Sequence, residues 1–342
     1  MSIDKISIVL AGPLYKEFDL YYSVKMMKDI FTDAEIILST NDTQLIKKAN
    51  TLDLFDKIVE CNDIGELPSL KFPGSTSSAI VNNNIKKQID TSLQGIKVAQ
   101  HPLVLKLRTD QFLFNSSILS LWNIIKDIPT DDSEKKGRII TSSIFSINPR
   151  YSERMPYHIS DMLQFGYKED LIAYYSAPEF PIIYATWYER NKHIKYSNLN
   201  EREFRAKFAV EQWLCLNYIF KNEKNFPINF HNHVSPEIVK QFETIYPDYF
   251  IIAHPDDIAL RASKFSSAMS YVNNQCYSTY ESLSLLISNR GLSTEIIKNY
   301  SPKGINKKLY KYIRYALDRK FIQLIIRIMP SGLKMFLKSL LR

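Results

Sequence analysis

The chain has 342 residues, 45% of them hydrophobic, and a net charge of +8. This length and composition predict one large α/β domain with a tail, or two modest domains, and exclude a wholly disordered chain. The nine glycines form neither a G-x-x-x-x-G-K-S/T loop nor a G-x-G-x-x-G turn, which argues against a P-loop NTPase and a dinucleotide-binding dehydrogenase.

Cysteine usage points to a reducing compartment. Cys61, Cys215 and Cys276 are far apart and form no C-x-x-C pair, so neither a structural zinc site nor a disulfide framework is expected. The first apolar segment, residues 6–10, is too short for the core of a signal peptide. We therefore expect the protein to be cytoplasmic.

The positive charge is concentrated at the C-terminal end. Residues 303–342 contain eleven Lys or Arg and one acid, Asp318, a net charge of +10, whereas the other 302 residues have a net charge of −2. Because the body is nearly neutral, no nucleic-acid partner is expected. The change in charge places a domain boundary near Pro302, with a domain over 1–302 and a basic tail over 303–342.

The first 143 residues alternate between buried strands and helices, the pattern of a doubly wound, mostly parallel sheet flanked by helices. Beyond Asn148 the sequence is irregular and aromatic, apart from a predicted helix at 209–220. The earlier predicted elements are strand 5–11, helix 19–31, strand 35–40, helix 44–52, strand 57–60, loop 65–78, helix 82–99, strand 102–108, helix 116–128, loop 130–137 and strand 138–143.

Apolar residues recur at helical spacing in 305–328 and again in 333–341, with Lys and Arg on the opposite face. Such basic amphipathic helices are typical of segments that bind an anionic membrane surface. Two alternatives remain: the apolar face packs on the protein's own core, or it joins two copies in a homodimer. No apolar stretch approaches the ~20 residues of a membrane-spanning helix.

The most informative stretch is Lys106-Leu107-Arg108-Thr109-Asp110, which ends an apolar strand. Ligands of open α/β sheets bind at the carboxyl ends of the strands, and carboxylate oxygens suit Mg²⁺ or Mn²⁺. Asp110 is therefore the predicted metal or phosphate residue, and Arg108 could hold a diphosphate through its planar guanidinium. The alternative is that Arg108 and Asp110, which share a face of the strand, pair with each other.

Polar residues at the same predicted edge complete a candidate site. There are three groups: the turn at Gly12 and Pro13, the strand end at Ser39 and Thr40, and the helical stripe of Asn84, Gln88 and Thr91 with Lys87 beside it. Each group also has a purely structural interpretation. The first would be a simple βα turn, the second a helix cap and the third a solvated stripe on a helix.

Several segments together resemble the WavE lipopolysaccharide-synthesis family, whose members look like GT-A-type glycosyltransferases. The resemblance covers about residues 5–215, and the Lys86-Lys87 pair departs from the Arg expected before Gln88. The segments that carry it are Val9-Leu10-Ala11-Gly12-Pro13, Asp33-Ala34-Glu35-Ile36-Ile37-Leu38-Ser39-Thr40, Asn82-Asn83-Asn84-Ile85-Lys86-Lys87-Gln88 with Thr91 and Gly95, Lys106-Leu107-Arg108-Thr109-Asp110, Ser160-Asp161 with Phe165-Gly166, and Glu211-Gln212.

This resemblance implies a GT-A-like fold whose donor half is about 1–150 and whose acceptor half is about 151–302. It implies a nucleotide-sugar donor, a lipid-linked glycan acceptor and action on the inner face of the plasma membrane. The donor would lie against Gly12, Pro13, Ser39, Thr40, Asn84, Lys87, Gln88, Arg108 and Asp110.

Asp110 takes the position of the D-x-D carboxylates of GT-A enzymes, with Arg108 in place of the first acid. A divalent cation, Mg²⁺ or Mn²⁺, would then lie on Asp110, with His254 as a late ligand. The expected catalytic base is Glu211, with Asp161 as the alternative. Rival functions are a nucleotidyl- or polyol-phosphate transferase and a non-catalytic, membrane-associated scaffold.

Overall fold

The computed structural model describes residues 5–70, 81–151, 154–197, 201–221, 223, 225–263, 265–303, 312, 316 and 319–333. Its strands are β1 (Ile6–Ala11), β2 (Glu35–Thr40), β3 (Lys57–Glu60), β4 (Leu67–Leu70), β5 (Val81–Asn83), β6 (Leu103–Arg108), β7 (Gln111–Leu113), β8 (Ile139–Ser142), β9 (Gln164–Tyr167), β10 (Phe250–Ala253) and β11 (Leu260–Ala262).

The helices of the described part of the chain follow in chain order. They are α1 (Leu20–Ile30), α2 (Thr43–Leu52), α3 (Ile85–Val98), α4 (Ser117–Ile125), α5 (Lys168–Tyr175), α6 (Ile182–Ala185), α7 (Trp187–Arg190), α8 (Val210–Ile219), α9 (Pro236–Ile245), α10 (Phe265–Gln275), α11 (Thr279–Arg290) and α12 (Lys320–Ile328), with 3-10 turns at Glu201–Glu203, Tyr246–Asp248 and Thr294–Ile297.

The main sheet has seven strands in the order β10-β8-β9-β6-β1-β2-β3. Neighbouring strands are parallel except at β9, which runs antiparallel to both β6 and β8. Two small antiparallel pairs, β4 with β5 and β7 with β11, lie outside this sheet. The predicted α/β class, with a mostly parallel sheet flanked by helices, is confirmed.

The core has two layers, one on each face of the sheet. Side chains alternate along a strand, so Ile8 and Leu10 of β1 face the layer that contains α1, α4 and α11, while Val9 faces the layer that contains α3, α5 and α8. All three side chains are fully buried. Because both faces are covered, the strands are continuously apolar, which is why the sequence identified them.

The segment before α3 differs from the prediction. The sequence predicted a loop over 65–78 and a helix from residue 82, but β4 forms inside that loop and α3 begins at Ile85. The Asn83 side-chain oxygen accepts a hydrogen bond from the Ile85 backbone N–H at 3.0 Å. This local bond favours a turn over helix and delays the start of α3. Residues 71–78 of the predicted loop lie outside the described residues.

Only part of the predicted tail is described. Helix α12 falls within the predicted run 305–328, and a short helical turn follows at 331–333. Residues 304–311 and 334–342 lie outside the described residues. In the part of the chain that the structure describes, we find no helix both long and apolar enough to cross a membrane.

Helix α3 lies unusually close to the sheet at Gly95. A β-carbon built at Gly95 would lie 2.5 Å from Cγ1 of Val9 and 2.8 Å from Cβ of Ser39, both on the strands beneath. The absence of a side chain therefore sets the distance between α3 and the β1–β2 pair. Any larger residue must push the helix outward or displace a fully buried neighbour.

Replacing Gly95 by Ala is expected to lower the free energy of unfolding by about 1–3 kcal/mol, the usual cost of overpacking a core. Urea unfolding followed by circular dichroism measures this change. Gly332→Ala is the matched control, because a β-carbon there meets nothing within 4 Å. An unfolding midpoint for Gly95→Ala equal to that of the wild type would contradict the close packing of α3.

Candidate functional site

The site lies where the strand order changes direction. β1 pairs with β2 on one side and with β6 on the other, so successive connections leave the β1–β6 pair in opposite directions. Crevices outside the carboxyl ends of such a strand pair are the usual ligand sites of open α/β sheets. A cavity of about 370 Å³ opens there.

The cavity is polar at its base and is walled by the first turns of α3. Residues from the ends of β1 and β6, from α3 and from the loop before it line the cavity: Ala11, Gly12, Pro13, Tyr15, Asn41, Glu66, Asn84, Lys87, Gln88, Thr91, Ser92, Lys106 and Arg108.

Most of the predicted donor-binding residues come together in this cavity. Its walls include six of the nine: Gly12, Pro13, Asn84, Lys87, Gln88 and Arg108. The other three are buried beside it. The Ser39 hydroxyl donates to the Thr91 carbonyl at 2.6 Å, and the Thr40 hydroxyl accepts from the Asp42 N–H at 3.0 Å. In the described structure these two hydroxyls hold neighbouring segments together, and Asp110 supports Arg108.

Gly12 allows the chain leaving β1 to cross close to the end of β6. Its φ is +131°, in the region that favours glycine. Its N–H donates to the Ser39 carbonyl at 3.2 Å, and the Thr109 hydroxyl donates to the Pro13 carbonyl at 2.5 Å. These bonds hold the turn against β2 and against the end of β6. The turn forms one wall of the cavity.

Arg108 and Asp110 pair with each other, as the alternative interpretation of the motif expected. The guanidinium donates from Nε to Oδ1 at 2.8 Å and from Nη2 to Oδ2 at 3.1 Å. The Ser263 hydroxyl donates to Oδ2 at 2.5 Å, and the carboxylate is fully buried. Arg108 also donates to the Tyr15 hydroxyl at 2.5 Å. Asp110 therefore fixes the position of Arg108, whose side chain reaches the cavity.

The predicted metal ligands do not form a metal site in the described residues. Both carboxylate oxygens of Asp110 already accept hydrogen bonds from Arg108 or Ser263. His254 bonds through Nε2 to Asn273 at 2.9 Å and through Nδ1 to the Asp256 N–H at 3.3 Å. Within those residues, no three His, Cys, Asp or Glu side chains are arranged to hold a metal ion. A cation bridging Asp110 and His254 does not fit this geometry.

Lys106 is a buried cation at the base of the cavity. Its side chain is 1% exposed, and its ammonium donates to the Asp161 backbone carbonyl at 2.7 Å and lies 5.3 Å from the centre of the Tyr175 ring. Among the described residues, no carboxylate lies within 4.0 Å of it. Burial lowers the pKa of Lys106 to about 8, although the charge of Asp161 opposes this shift.

Asp161 is part of the cavity's support and does not line it. Its carboxylate accepts a hydrogen bond from the Gln88 amide, and its backbone carbonyl accepts from Lys106 at 2.7 Å and from the Tyr175 hydroxyl at 3.2 Å. The residue is almost completely buried. Asp161 therefore fixes both a helix side chain and a strand side chain of the site.

Glu211 stands near Asp161 at the start of α8 but outside the cavity wall. Its side chain is 23% exposed, and its Oε2 lies 3.4 Å from Nε2 of His158. Burial raises the pKa of Glu211 above its ordinary value, an effect that His158 opposes and Asp161 reinforces. A carboxylate with a raised pKa suits proton transfer near neutral pH.

Sequence reasoning assigned no role to several residues of the site. Tyr15, which anchors Arg108, and His158, which contacts Glu211, had no local pattern to mark them. Ser263 reaches Asp110 from more than 150 positions along the chain, so no motif connects them. Lys106 did have a marker, because it interrupts an otherwise apolar strand between Leu105 and Leu107.

Comparison with solved structures gives only distant likenesses. Yersinia pseudotuberculosis HddC, crystallised with GMP-PN, has 10% identity and a TM-score of 0.27 over 52% of this chain and 80% of its own. The Q189E active-site mutant of LgtC has 12% identity and a TM-score of 0.33 over 85% and 98%. S. aureus TarS has 10% identity and a TM-score of 0.32 over 96% and 50%. Likenesses this distant establish no activity for the chain.

Comparison with protein families gives an extended match. No curated protein matches the chain. A family described as WavE lipopolysaccharide synthesis, however, matches residues 6–324, which include β1, the cavity and the first half of α12. The match extends well beyond the motifs that first suggested this family. The chain belongs to the WavE lipopolysaccharide-synthesis family.

Proposed function

We propose that the protein is a glycosyltransferase that binds a nucleotide-sugar donor in the cavity between the ends of β1 and β6. The sugar then passes to a lipid-linked glycan during assembly of lipopolysaccharide, capsule or another surface polysaccharide. The supporting observation is that six predicted donor-binding residues from three separate segments line one cavity. Its lining includes the cations Lys87, Lys106 and Arg108 and one acid, Glu66, a balance that suits a diphosphate.

In the proposed reaction, the bond between the sugar's anomeric carbon and the diphosphate oxygen breaks. Its electron pair leaves with the nucleoside diphosphate, and an acceptor hydroxyl oxygen forms the new bond to the same carbon. The hydroxyl proton passes to a base. The residues of the cavity contribute by holding the diphosphate and stabilising the charge that develops on it.

We assign the base to Glu211 and a positioning role to Asp161. A base must be reachable by the acceptor, and the Glu211 side chain is partly exposed whereas Asp161 is almost completely buried. Glu211 also lies beside His158, whose Nε2 is 3.4 Å from Oε2 of Glu211. Asp161 is bonded to Gln88 and Lys106, two residues of the cavity wall.

The proposal predicts that a nucleoside diphosphate stabilises the protein by binding in the cavity. Thermal unfolding would be measured with UDP, GDP, CDP and CMP, each with and without Mn²⁺. A ligand at about 100 times its Kd adds about 2.7 kcal/mol to the stability of a protein that binds it only when folded. We expect one of these nucleotides to raise the Tm of the wild type.

Two matched variants locate the binding. Asn84→Trp places a large side chain in the cavity wall, whereas Asn50→Trp makes the same change at an exposed position of α2 outside the cavity. The Tm increase should be lost in Asn84→Trp and kept in Asn50→Trp. If no nucleotide stabilises the folded wild type, the proposed activity is wrong, and a non-catalytic scaffold becomes the better account.

The assignment of the base predicts a distinctive pH profile. Glu211→Gln is expected to lower kcat by about 10²–10⁴-fold, the usual contribution of a general base. Because burial raises the pKa of Glu211, the wild-type rate should increase with pH through a value above the ordinary range of Glu. This increase of the rate with pH, the acidic limb of the profile, should be absent in Glu211→Gln.

Asp161→Asn is the comparison variant for this test. It removes a charge next to Glu211, so the limb should move to lower pH, because Asp161 contributes to the raised pKa of Glu211. The limb itself should remain. A rate for Glu211→Gln within about threefold of the wild type would instead transfer the role of base to another group.

We further propose that the basic tail binds the inner face of the plasma membrane, where a lipid-linked acceptor would lie. On α12, Phe321, Leu324 and Ile328 are 72%, 57% and 77% exposed and recur at helical spacing. This exposure argues against the alternative in which α12 packs on the protein's own core. The net charge of +10 over residues 303–342 complements anionic lipid.

The tail proposal is tested by sedimentation with vesicles of phosphatidylcholine alone or mixed with phosphatidylglycerol. The wild type should sediment with the anionic vesicles only, and less at high salt. The double variant Phe321→Ser, Ile328→Ser should stay in solution, whereas Tyr22→Ser, at an exposed aromatic residue of the body, should behave as the wild type. Equal sedimentation of all three proteins would exclude α12 as the membrane contact.

A further inference from the structure

We propose that Lys106 is the main anion-binding group of the cavity and does there what a divalent cation would otherwise do: it neutralises the diphosphate of the donor. This inference rests on the proposed binding of a nucleotide sugar and adds the group that recognises its charge. It assigns the diphosphate to Lys106 and not to a metal ion on Asp110, which the sequence predicted.

Lys106 carries a buried charge, and among the described residues no carboxylate lies within 4.0 Å of its ammonium. The strand β6 lies in the middle of the sheet, and the Lys106 ammonium bonds to one backbone carbonyl, that of Asp161. A carbonyl dipole does not neutralise a full charge, and isolated buried charges are costly. A lysine that destabilises the ligand-free protein in this way would be stabilised by an anion bound in the cavity. Its presence in the strand is therefore consistent with an anionic ligand.

The other two cations of the cavity, Lys87 and Arg108, already have carboxylate partners. Lys87 already forms ion pairs with Asp63 at 3.0 Å and with Glu66 at 3.3 Å. Arg108 makes a two-bond pair with Asp110. Within the described residues, Lys106 is the cation of this cavity that has no carboxylate partner. It is therefore the group with the most to gain from a phosphate.

The Asp110 carboxylate is already engaged by neighbouring side chains. Both oxygens of Asp110 accept hydrogen bonds from Arg108 and Ser263, so a metal ion on this carboxylate would compete with the guanidinium for the same oxygens. The carboxylate therefore aligns Arg108 beside Lys106. Together the two cations present positive charge at the end of β6, where the phosphates of a bound nucleotide would lie.

The charged groups around Lys106 leave it protonated at neutral pH. Asp161 and Asp110 favour the charged form, Arg108 disfavours it, and burial disfavours it most, so that its pKa is lowered to about 8. A bound phosphate adds a further negative charge and stabilises the ammonium. The local electrostatics are therefore consistent with an anion site.

The test uses Lys106→Met, which keeps the length and the apolar stem of the side chain and removes the charge. Binding of UDP, GDP and CDP, and of the corresponding nucleosides, would be measured by calorimetry in EDTA. We expect a Tm at or above that of the wild type, together with a fall of at least about 100-fold in diphosphate affinity. Nucleoside affinity should change by less than about threefold.

Lys87→Met is the matched control, because it removes a cation of the same cavity that is already paired with two acids. It should lower diphosphate affinity by less than about tenfold, much less than Lys106→Met. If Lys106→Met does not fold, Lys106→Gln, which retains a donor for the Asp161 carbonyl, replaces it in the same measurements.

The outcomes separate this inference from the proposed function. Diphosphate binding to the wild type that survives unchanged in Lys106→Met, or that requires Mn²⁺, overturns the role of Lys106 and leaves the nucleotide-sugar site intact. If no nucleotide binds to the wild type, both proposals fail. Retained nucleoside binding with loss of diphosphate binding in the variant supports both.

Discussion

The site depends on the placement of two cations at the carboxyl end of one central strand. Lys106 and Arg108 occupy alternate positions of β6, where Lys106 is buried and the Arg108 side chain is 21% exposed. Desolvation of such charges costs several kcal/mol unless other groups compensate. Asp110, with Ser263 behind it, compensates Arg108, whereas the Asp161 carbonyl compensates Lys106 only in part. The structure around β6 is therefore arranged to keep positive charge beside an open cavity.

The fold and the site are coupled through α3. Its close approach to the sheet at Gly95 brings the first turns of the helix over the ends of β1 and β6. Gln88 then reaches Asp161 and Lys87 reaches Glu66. A small change in the distance between α3 and the sheet would therefore move the cavity wall. Core packing in this region serves the geometry of the site as well as the stability of the domain.

Much of the fold and part of the site could be predicted from the sequence. Apolar runs identified β1, β2, β6 and β8 because both faces of the sheet are buried, and parallel topology placed their carboxyl ends together. The three-residue strands β7 and β11 carry too few residues to show a period, and β9, Gln164-Phe165-Gly166-Tyr167, has no apolar run. Their pairing depends on contacts between distant segments, which a local pattern does not encode.

The same limit explains the prediction about Asp110. Its position after β6 marked the edge of the sheet at which the cavity opens, but its bonding depends on Ser263, which follows β11 far along the chain. Residue type alone therefore suggested a metal ligand where the geometry gives a support for Arg108. The polar stripe of α3 was predicted more accurately, because a helical period fixes which side chains share a face.

The most direct test of the account is a crystal structure of the protein with the nucleoside diphosphate that it binds, grown with Mn²⁺ present. The account predicts phosphate oxygens about 3 Å from the Lys106 ammonium, with the nucleoside between Gly12 and α3. A nucleotide bound elsewhere, or a Mn²⁺ ion on an Asp110 carboxylate that has released Arg108, would contradict it.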